Sequence, residues 1–234
     1  MLKADLHIHS NIKKRLSYFP CFYDSVQSVE QILQKAMSSK IEIIAITDHD
    51  SLAGFFEAEN IIKKNNLDIL LLPGCEVSSR DGHILAYNIT KEIRKGMSAA
   101  RTIDEIHAQN GIAVAAHPFN QNSLGEKIYD LSLDALEGLN ATTSLSALIK
   151  AFLAAKYLRI PNLANSDAHQ AQEIGRSFML FPESTTTIEI LIETMKSGNF
   201  ATRFTKTNTL AVIYRHIVEN VKLQYLDNIK ETSL

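Results

Sequence analysis

The chain has few cysteines, glycines and prolines, and it lacks a long apolar run. Nine glycines and five prolines among 234 residues exclude a collagen-like or linker-dominated protein. Two cysteines, Cys21 and Cys75, are too few for a disulfide scaffold, and without a CxxC pair they do not indicate a thiolate zinc site. No run approaches the roughly 20 apolar residues that cross a bilayer, so we expect no membrane partner. No signal-peptide core follows Met1, and we expect a reducing cytoplasm as the location.

An excess of charge of one sign is also missing. The 24 basic and 26 acidic side chains give a formal net charge of −2, without the basic excess typical of proteins that bind duplex nucleic acid. A hydrophobic content of 45% with 21% charged residues is typical of a globular chain and excludes disorder. The length fits one domain with a sizeable core.

Short apolar runs alternate with amphipathic stretches, which is typical of βα units around a mainly parallel sheet. Capping boxes predict helix starts at Ser28 with Gln31 and at Thr102 with Glu105. The predicted strands are 4–9, 41–47, 68–73, 83–89, 112–116, 135–139, 161–165 and 178–181.

The last part of the chain predicts one more helix. Between residues 209 and 230, apolar side chains recur at helical spacing: Leu210, Ile213, Ile217, Val221 and Leu226. We therefore divide the chain into a domain over 1–204 and a helical extension over 205–234, which packs on that domain or on a partner.

Histidines and carboxylates recur where the predicted strands begin or end. His7 and His9 lie two apart on a strand, so both imidazoles point to one face and can reach one ion. An isolated histidine there is more often structural, but the joint recurrence favours two or three divalent ions with open positions. The full set of candidates is His7, His9, Asp48, His49, Glu76, His83, His117, Asp167 and His169.

These motifs resemble those of the PHP (polymerase and histidinol phosphatase) superfamily. Their order matches the family across roughly residues 4–182. The resemblance implies a distorted, seven-stranded, TIM-like βα barrel with a trinuclear metal centre and metal-dependent phosphoesterase activity. The motifs are Asp5-Leu6-His7-Ile8-His9-Ser10, Ile46-Thr47-Asp48-His49-Asp50, Gly74-Cys75-Glu76, Gly82-His83, Ala116-His117-Pro118 and Ser166-Asp167-Ala168-His169.

The resemblance also implies how the ligands are divided among the ions. Glu76 would be shared between two of them. The ligands of the first ion would be His7, His9, Glu76 and Asp167. The ligands of the second would be Glu76, His83 and His117.

The third ion would take His49, His169 and one residue that follows the HxH motif. Many relatives carry an aspartate a few residues after that motif, whereas this sequence continues from Ser10 into residues 11–15 without one. The next candidate is Asp24, and its distance from His9 implies an insertion between them.

The hypothesis for function is hydrolysis of a phosphate ester by a metal-activated hydroxide at a di- or trinuclear site. The substrate would be a small phosphorylated molecule, a nucleotide or an oligonucleotide end, and the ions would be Zn, Mn or Fe. Asp48 is predicted to orient a ligand or loop through hydrogen bonds. Arg176 is predicted to bind the phosphate, with Arg80 as the alternative.

Two other functions remain open at this point. An amidohydrolase-like enzyme acting on C–N bonds also uses HxH, but it would normally add a metal-bridging lysine after a middle strand, and no lysine occupies such a position. A non-catalytic or regulatory metal-binding module would predict eroded ligands, whereas nearly all are present.

Overall fold

The computed structural model describes residues 1–12, 15–16 and 19–205, with backbone alone for 15–16 and 19–23. The predicted helix over 209–230, and with it nearly all of the extension over 205–234, lies outside these residues. Within them, no helix is long and apolar enough to cross a membrane.

The described chain has a mixed α/β fold. Its strands are β1 (Leu2–Ile8), β2 (Arg15–Leu16), β3 (Phe19–Tyr23), β4 (Ile43–Ile46), β5 (Leu70–Leu71), β6 (Gly74–Ser78), β7 (His83–Tyr87), β8 (Ile112–Ala115), β9 (Ala135–Asn140), β10 (Asn162–Asn165), β11 (Ser177–Phe181) and β12 (Ala201–Phe204). Its helices are α1 (Val29–Ser38), α2 (Ala53–Asn65), α3 (Ala99–His107), α4 (Leu145–Leu158) and α5 (Ile188–Ser197), with short 3-10 helices at Gly125–Asp130 and Ala171–Glu173.

Two five-stranded sheets form the body of the molecule. One has the order β12-β11-β1-β4-β5, and the other has the order β10-β9-β8-β7-β6. Strands β1, β4 and β5 are parallel, as are β8, β9 and β10, whereas β6, β7 and β8 pair antiparallel. Strands β2 and β3 form a separate hairpin.

Among the described residues, two isolated bridges join the interior strands β1 and β4 of the first sheet to the edge strands β10 and β6 of the second, through residues in these strands or shortly after them. One links Ile8 to Ala168, and the other links His49 to Glu76. The His9 amide donates to the Ala168 carbonyl at 2.9 Å, and the Glu76 amide donates to the Thr47 carbonyl at 3.1 Å. Because no continuous ladder spans either junction, the predicted closed seven-stranded barrel is not confirmed, while the α/β class is.

The central strands are buried on both faces, which explains their near-continuous apolar sequence. All four residues of β4 are fully buried, and the last five residues of β1 are buried as well. Each buried Ile or Leu side chain stabilises the fold by about 1.5–3 kcal/mol. These rigid strands fix the positions of the polar residues that follow them.

Two local expectations were wrong. Helix α3 begins with Ser98 as its N-cap, so Thr102 lies inside the helix and donates its hydroxyl to the Ser98 carbonyl at 3.0 Å. Glu76 does not follow a strand but lies in the middle of β6, paired with Leu85 of β7. The capping box of Ser28 and Gln31 at the start of α1 is confirmed.

Candidate metal centre

Four buried side chains meet where β1 approaches β6 and the segment after β10, and we call them the inner group: His7, His9, Glu76 and Asp167. His7 Nε2 lies 3.0 Å from His9 Nε2, 3.3 Å from Glu76 Oε2 and 3.4 Å from Asp167 Oδ1. His9 Nε2 lies 3.2 Å and 3.4 Å from the same two oxygens. Tetrahedral ligands at about 2.0–2.1 Å from a zinc-like ion are about 3.3–3.4 Å apart, so this spacing fits one ion.

The second oxygen of Glu76 faces another pair of imidazoles. Oε1 lies 2.9 Å from His83 Nδ1 and 3.1 Å from His117 Nε2. One carboxylate therefore contacts histidines on both of its oxygens, which is the arrangement of a ligand shared between two ions. His49 Nδ1 lies 3.4 Å from Oε2, so His49 also adjoins this carboxylate.

Three further side chains form what we call the outer group: Asp24, His49 and His169. Asp24 Oδ2 lies 3.6 Å from His49 Nε2 and 3.6 Å from His169 Nε2. The same oxygen lies 4.0 Å from His9 Nδ1. The side chains of the outer group are 19–26% exposed, more than those of the inner group. The structure thus brings Asp24 to the cluster despite its distance along the chain from the HxH motif.

The donor atoms of this cluster suit divalent cations. The buried Nδ1 atoms of His9 and His117 have no hydrogen-bond partner among the described residues. A buried polar atom without a partner calls for a water or an ion. Every atom of the cluster that could coordinate a metal is an imidazole nitrogen or a carboxylate oxygen. Cys75 is not among them, because it packs in the apolar core. This donor set fits zinc, manganese or iron.

Glu137 supports the cluster from behind, and sequence reasoning missed it. This buried carboxylate accepts hydrogen bonds from His7 Nδ1 at 2.8 Å and from the His117 amide at 3.0 Å. It also accepts from the side-chain amides of Asn140 and Asn165. With the proton of His7 held at Nδ1, the Nε2 lone pair faces the inner group.

Asp167 is oriented in a similar way. Its Oδ2 accepts from Asn140 Nδ2 at 3.1 Å and from Thr142 Oγ1 at 3.2 Å, so Oδ1 is left to face His7 and His9. His169 Nδ1 donates to the Asp167 carbonyl at 3.0 Å. Since a carbonyl only accepts, the proton of His169 lies on Nδ1, and Nε2 faces Asp24.

Asp48 does not join the ligand cluster directly. Its two oxygens accept from the amide and hydroxyl of Ser10, both at 2.6 Å, next to His9 in the chain. Burial raises the pKa of Asp48 to about 6. A Cβ on Gly54 would lie 2.2 Å from Asp48 Oδ2, so α2 packs against this carboxylate only because residue 54 is glycine.

The pKa values of the cluster favour charged carboxylates. Burial raises the pKa of Glu76, but His49 and His7 outweigh burial and hold that pKa well below its usual range. Burial also raises the pKa of Asp167, and His7 with His9 lowers it well below its usual range. Burial lowers the pKa of His49 to about 4, so this imidazole is neutral at pH 7. Charged carboxylates and the neutral imidazole of His49 are forms that bind cations. The same carboxylates outweigh burial at His7, His9, His117 and His169 and raise the pKa values of these histidines.

Neither arginine predicted to bind phosphate contacts the cluster in the described structure. Arg176 immediately precedes β11, and its Nε is buried without a hydrogen-bond partner among the described residues. Arg80 is exposed and lines a cavity of about 210 Å³ together with His83. The role of Arg176 therefore stays a prediction.

The fold and the cluster together define an α/β protein with a histidine- and carboxylate-lined centre at its strand ends, and comparison with known proteins gives the family. A family model described as PHP-associated matches residues 146–200. The uncharacterized protein MJ1587 of Methanocaldococcus jannaschii is 36% identical over 143 residues, which cover 60% of this chain and 82% of that protein. The chain belongs to the PHP superfamily.

More distant similarities extend to an enzyme and to a solved structure. A 5'-3' exoribonuclease of Haemophilus influenzae is 32% identical over 93 residues, covering 38% of this chain but only 30% of that enzyme. A two-domain protein from Bacteroides vulgatus, described as containing a predicted PHP-like metal-dependent phosphoesterase, matches with a TM-score of 0.70 and 16% identity. The match covers 87% of this chain and 65% of that one, and it supports the PHP fold.

Proposed function

We propose that this protein is a metal-dependent phosphoesterase with a di- or trinuclear site. The observation that carries the proposal is Glu76, whose two oxygens face separate sets of histidines at 2.9–3.4 Å. The first ion would be held by the inner group, and the second by Glu76, His83 and His117. The outer group would hold the third.

Bound divalent ions would supply a water of lowered pKa and positive charge for the phosphoryl oxygens. The protein's own residues prepare the site for that chemistry. Glu137 fixes the His7 tautomer, Asn140 and Thr142 fix the Asp167 carboxylate, and Asp48 fixes the backbone beside His9 through Ser10. Arg176 is proposed to bind the phosphate of the substrate bidentately.

We propose a small phosphorylated molecule, a nucleotide or an oligonucleotide end as the substrate. The partial similarity to the exoribonuclease supports including oligonucleotides in the first assays. The near-neutral net charge supports a short substrate over a long duplex, which would need a wider basic surface.

The test combines elemental analysis of the purified protein with assays on p-nitrophenyl phosphate, nucleotides and short 5'-labelled oligonucleotides. We expect two or three Zn, Mn or Fe ions per chain and phosphate-ester cleavage that stops with a chelator and returns when metal is restored. Metal binding without cleavage of any ester would instead favour the regulatory module. Cleavage of C–N substrates alone would favour the amidohydrolase-like alternative.

A further inference from the structure

Two cavities of the described structure adjoin the candidate metal centre. The smaller, of about 210 Å³, is lined by His83 and Arg80, among others. The larger, of about 420 Å³, is lined by Asp50, which directly follows a histidine of the outer group, and by Arg94 and Lys95. Each cavity therefore has exposed basic side chains close to residues of the centre, and we call these side chains the rim cations: Arg80, Arg94 and Lys95.

Backbone hydrogen bonds hold the segments that carry the rim cations beside the end of β6. The Gly96 amide donates to the Ser78 carbonyl at 2.8 Å. The Arg80 amide donates to the Met97 carbonyl at 2.7 Å. Ser78 is the last residue of β6, and Glu76 lies two residues before it in the same strand. The two segments are therefore fixed to each other next to the carboxylate that the proposed ions share.

The rim cations are available to an anionic ligand. None of the three has an ion pair or a side-chain hydrogen bond with another described residue. The acidic residues that line the same cavities already have partners. Asp81 pairs with Lys127, while Asp50 and Glu92 accept from backbone amides at 2.6 and 3.0 Å. Arginine binds phosphate through paired hydrogen bonds and lysine binds it as a point charge, so phosphate suits both kinds of rim cation.

Asn122 adds a neutral hydrogen-bonding group to the smaller cavity. Its carbonyl accepts from the His83 amide at 2.9 Å, which holds the residue beside the centre. Its side-chain amide has no hydrogen-bond partner among the described residues, and it can both donate and accept, as the sugars and bases of nucleotides require. With about 210 Å³, this cavity is smaller than the roughly 300–1,000 Å³ of pockets that enclose a whole ligand, so it fits one part of a longer substrate.

We propose that the rim cations bind non-scissile phosphates of a short single-stranded nucleic acid whose end lies at the metal centre. The inference rests on the proposed phosphoesterase function, because it places these phosphates in the same substrate as the scissile ester. Arg80 and Asn122 contact the nucleotide next to that ester, and Arg94 and Lys95 contact the phosphate that follows. An inorganic polyphosphate would use the three cations but not the amide of Asn122.

The salt dependence of binding tests this proposal in the full, metal-loaded chain. The probe is a fluorescent pentanucleotide with phosphorothioate linkages, which resist cleavage, and its affinity is measured by anisotropy over a range of potassium chloride concentrations. The variant combines Arg80→Gln, Arg94→Gln and Lys95→Gln. For single strands, each lost phosphate contact lowers the slope of log affinity against log salt by about 0.7, so we expect the slope to fall by about two.

A second triple variant controls for the change in net charge. Arg159→Gln, Lys196→Gln and Arg203→Gln remove the same number of positive charges from exposed residues, none of which lines either cavity. We expect this control to keep the wild-type slope. An equal slope in the wild type and the rim variant, or an equal loss in both triple variants, would overturn the proposal.

Cleavage of unmodified substrates gives a second readout. We expect the ratio of kcat/KM for a pentanucleotide to that for a mononucleotide to fall about tenfold in the rim variant, mainly through KM, because the lost contacts lie away from the reacting atoms. An unchanged ratio would count against the proposal. If the wild type cleaves no ester, the proposed phosphoesterase function fails, and the salt slope alone decides whether the rim cations bind nucleic acid.

Competition with inorganic tripolyphosphate distinguishes the two sources of phosphate. We expect it to displace the pentanucleotide more weakly than an unlabelled pentanucleotide does at equal phosphate concentration, because it cannot use the amide of Asn122. Equal or stronger displacement by tripolyphosphate would show that the rim cations recognise charge alone, and would overturn the assignment to nucleic acid.

Discussion

The inner and outer groups of the candidate metal centre consist of the same types of side chain, histidines and carboxylates, but are built differently. The inner group is almost fully buried, and the five distances that join its ligand atoms span only 3.0–3.4 Å. The outer group is partly exposed, and Asp24 lies 3.6–4.0 Å from its histidines. Asp24 follows the separate hairpin of β2 and β3, whereas the inner residues lie in strands of the two five-stranded sheets or within two residues of them.

The two groups also differ in the hydrogen bonds that support their side chains. His7 and Asp167 are held from behind by Glu137, Asn140 and Thr142. Asp24 has only the imidazoles of the cluster as described side-chain partners. We infer that the inner group is preorganised by the core, and that the outer ion binds more weakly. Substitutions in the two groups should therefore have unequal effects.

The largest effect is expected for Glu76→Gln. This change removes the charge shared by two proposed ions, so activity should fall about a thousandfold or more, in keeping with several kcal/mol of lost metal stabilisation. Elemental analysis should show loss of at least one ion per chain, with the circular dichroism spectrum unchanged. Wild-type turnover by this variant would contradict the assignment of Glu76 as the shared ligand.

An intermediate effect is expected for Glu137→Gln. The new amide group must face one of four donors that now bond to the carboxylate, so His7 loses its fixed orientation. Changes of this kind cost about 10–100-fold in metal affinity or activity. Titration of the apoprotein with Zn or Mn measures the loss, and the exposed Glu126→Gln serves as the control. An unchanged affinity would show that the core alone orients His7.

The smallest of these effects is expected for Asp24→Asn. It should release the outer ion at chelator concentrations about tenfold lower than in the wild type while the inner ions stay bound. Metal content after dialysis against graded chelator distinguishes the two groups, with the exposed Asp68→Asn as the matched control. Simultaneous loss of all ions at one concentration would remove the distinction between inner and outer groups.

Much of the site could be predicted because strand ends follow simple geometry. Side chains two apart share a face of a strand, so His7 and His9 had to point the same way. The PHP motifs then indicated which distant residues join them. Their assignment as metal ligands stays a prediction, although the structure brings all of them except Asp48 into the cluster.

Other features depend on tertiary contacts that no local pattern reveals. Glu137 interrupts an apolar strand, and its hydrogen-bond partners in β1, β9, β10 and the segment after β8 explain why a buried carboxyl group is tolerated there. Helix α3 starts at Ala99 because Ser98 caps it and Asp81 accepts from the Ala99 amide, although Thr102 and Glu105 fit a capping box equally well. Strand β12 was missed because Ala201–Phe204 is short and only partly buried.

The separation of the inner ligands along the chain has a consequence for biosynthesis. His7 is made near the start, but its partners Glu137 and Asp167 lie 130 and 160 positions later. At roughly 5–20 residues per second, a ribosome needs on the order of ten to thirty seconds to cover that interval. Until then the nascent chain offers His7, His9 and Glu76 without Asp167, the fourth member of the inner group, and without Glu137, which orients His7. We therefore expect metal loading to follow synthesis of residue 167, and a translation product truncated before that residue would lack a complete inner group.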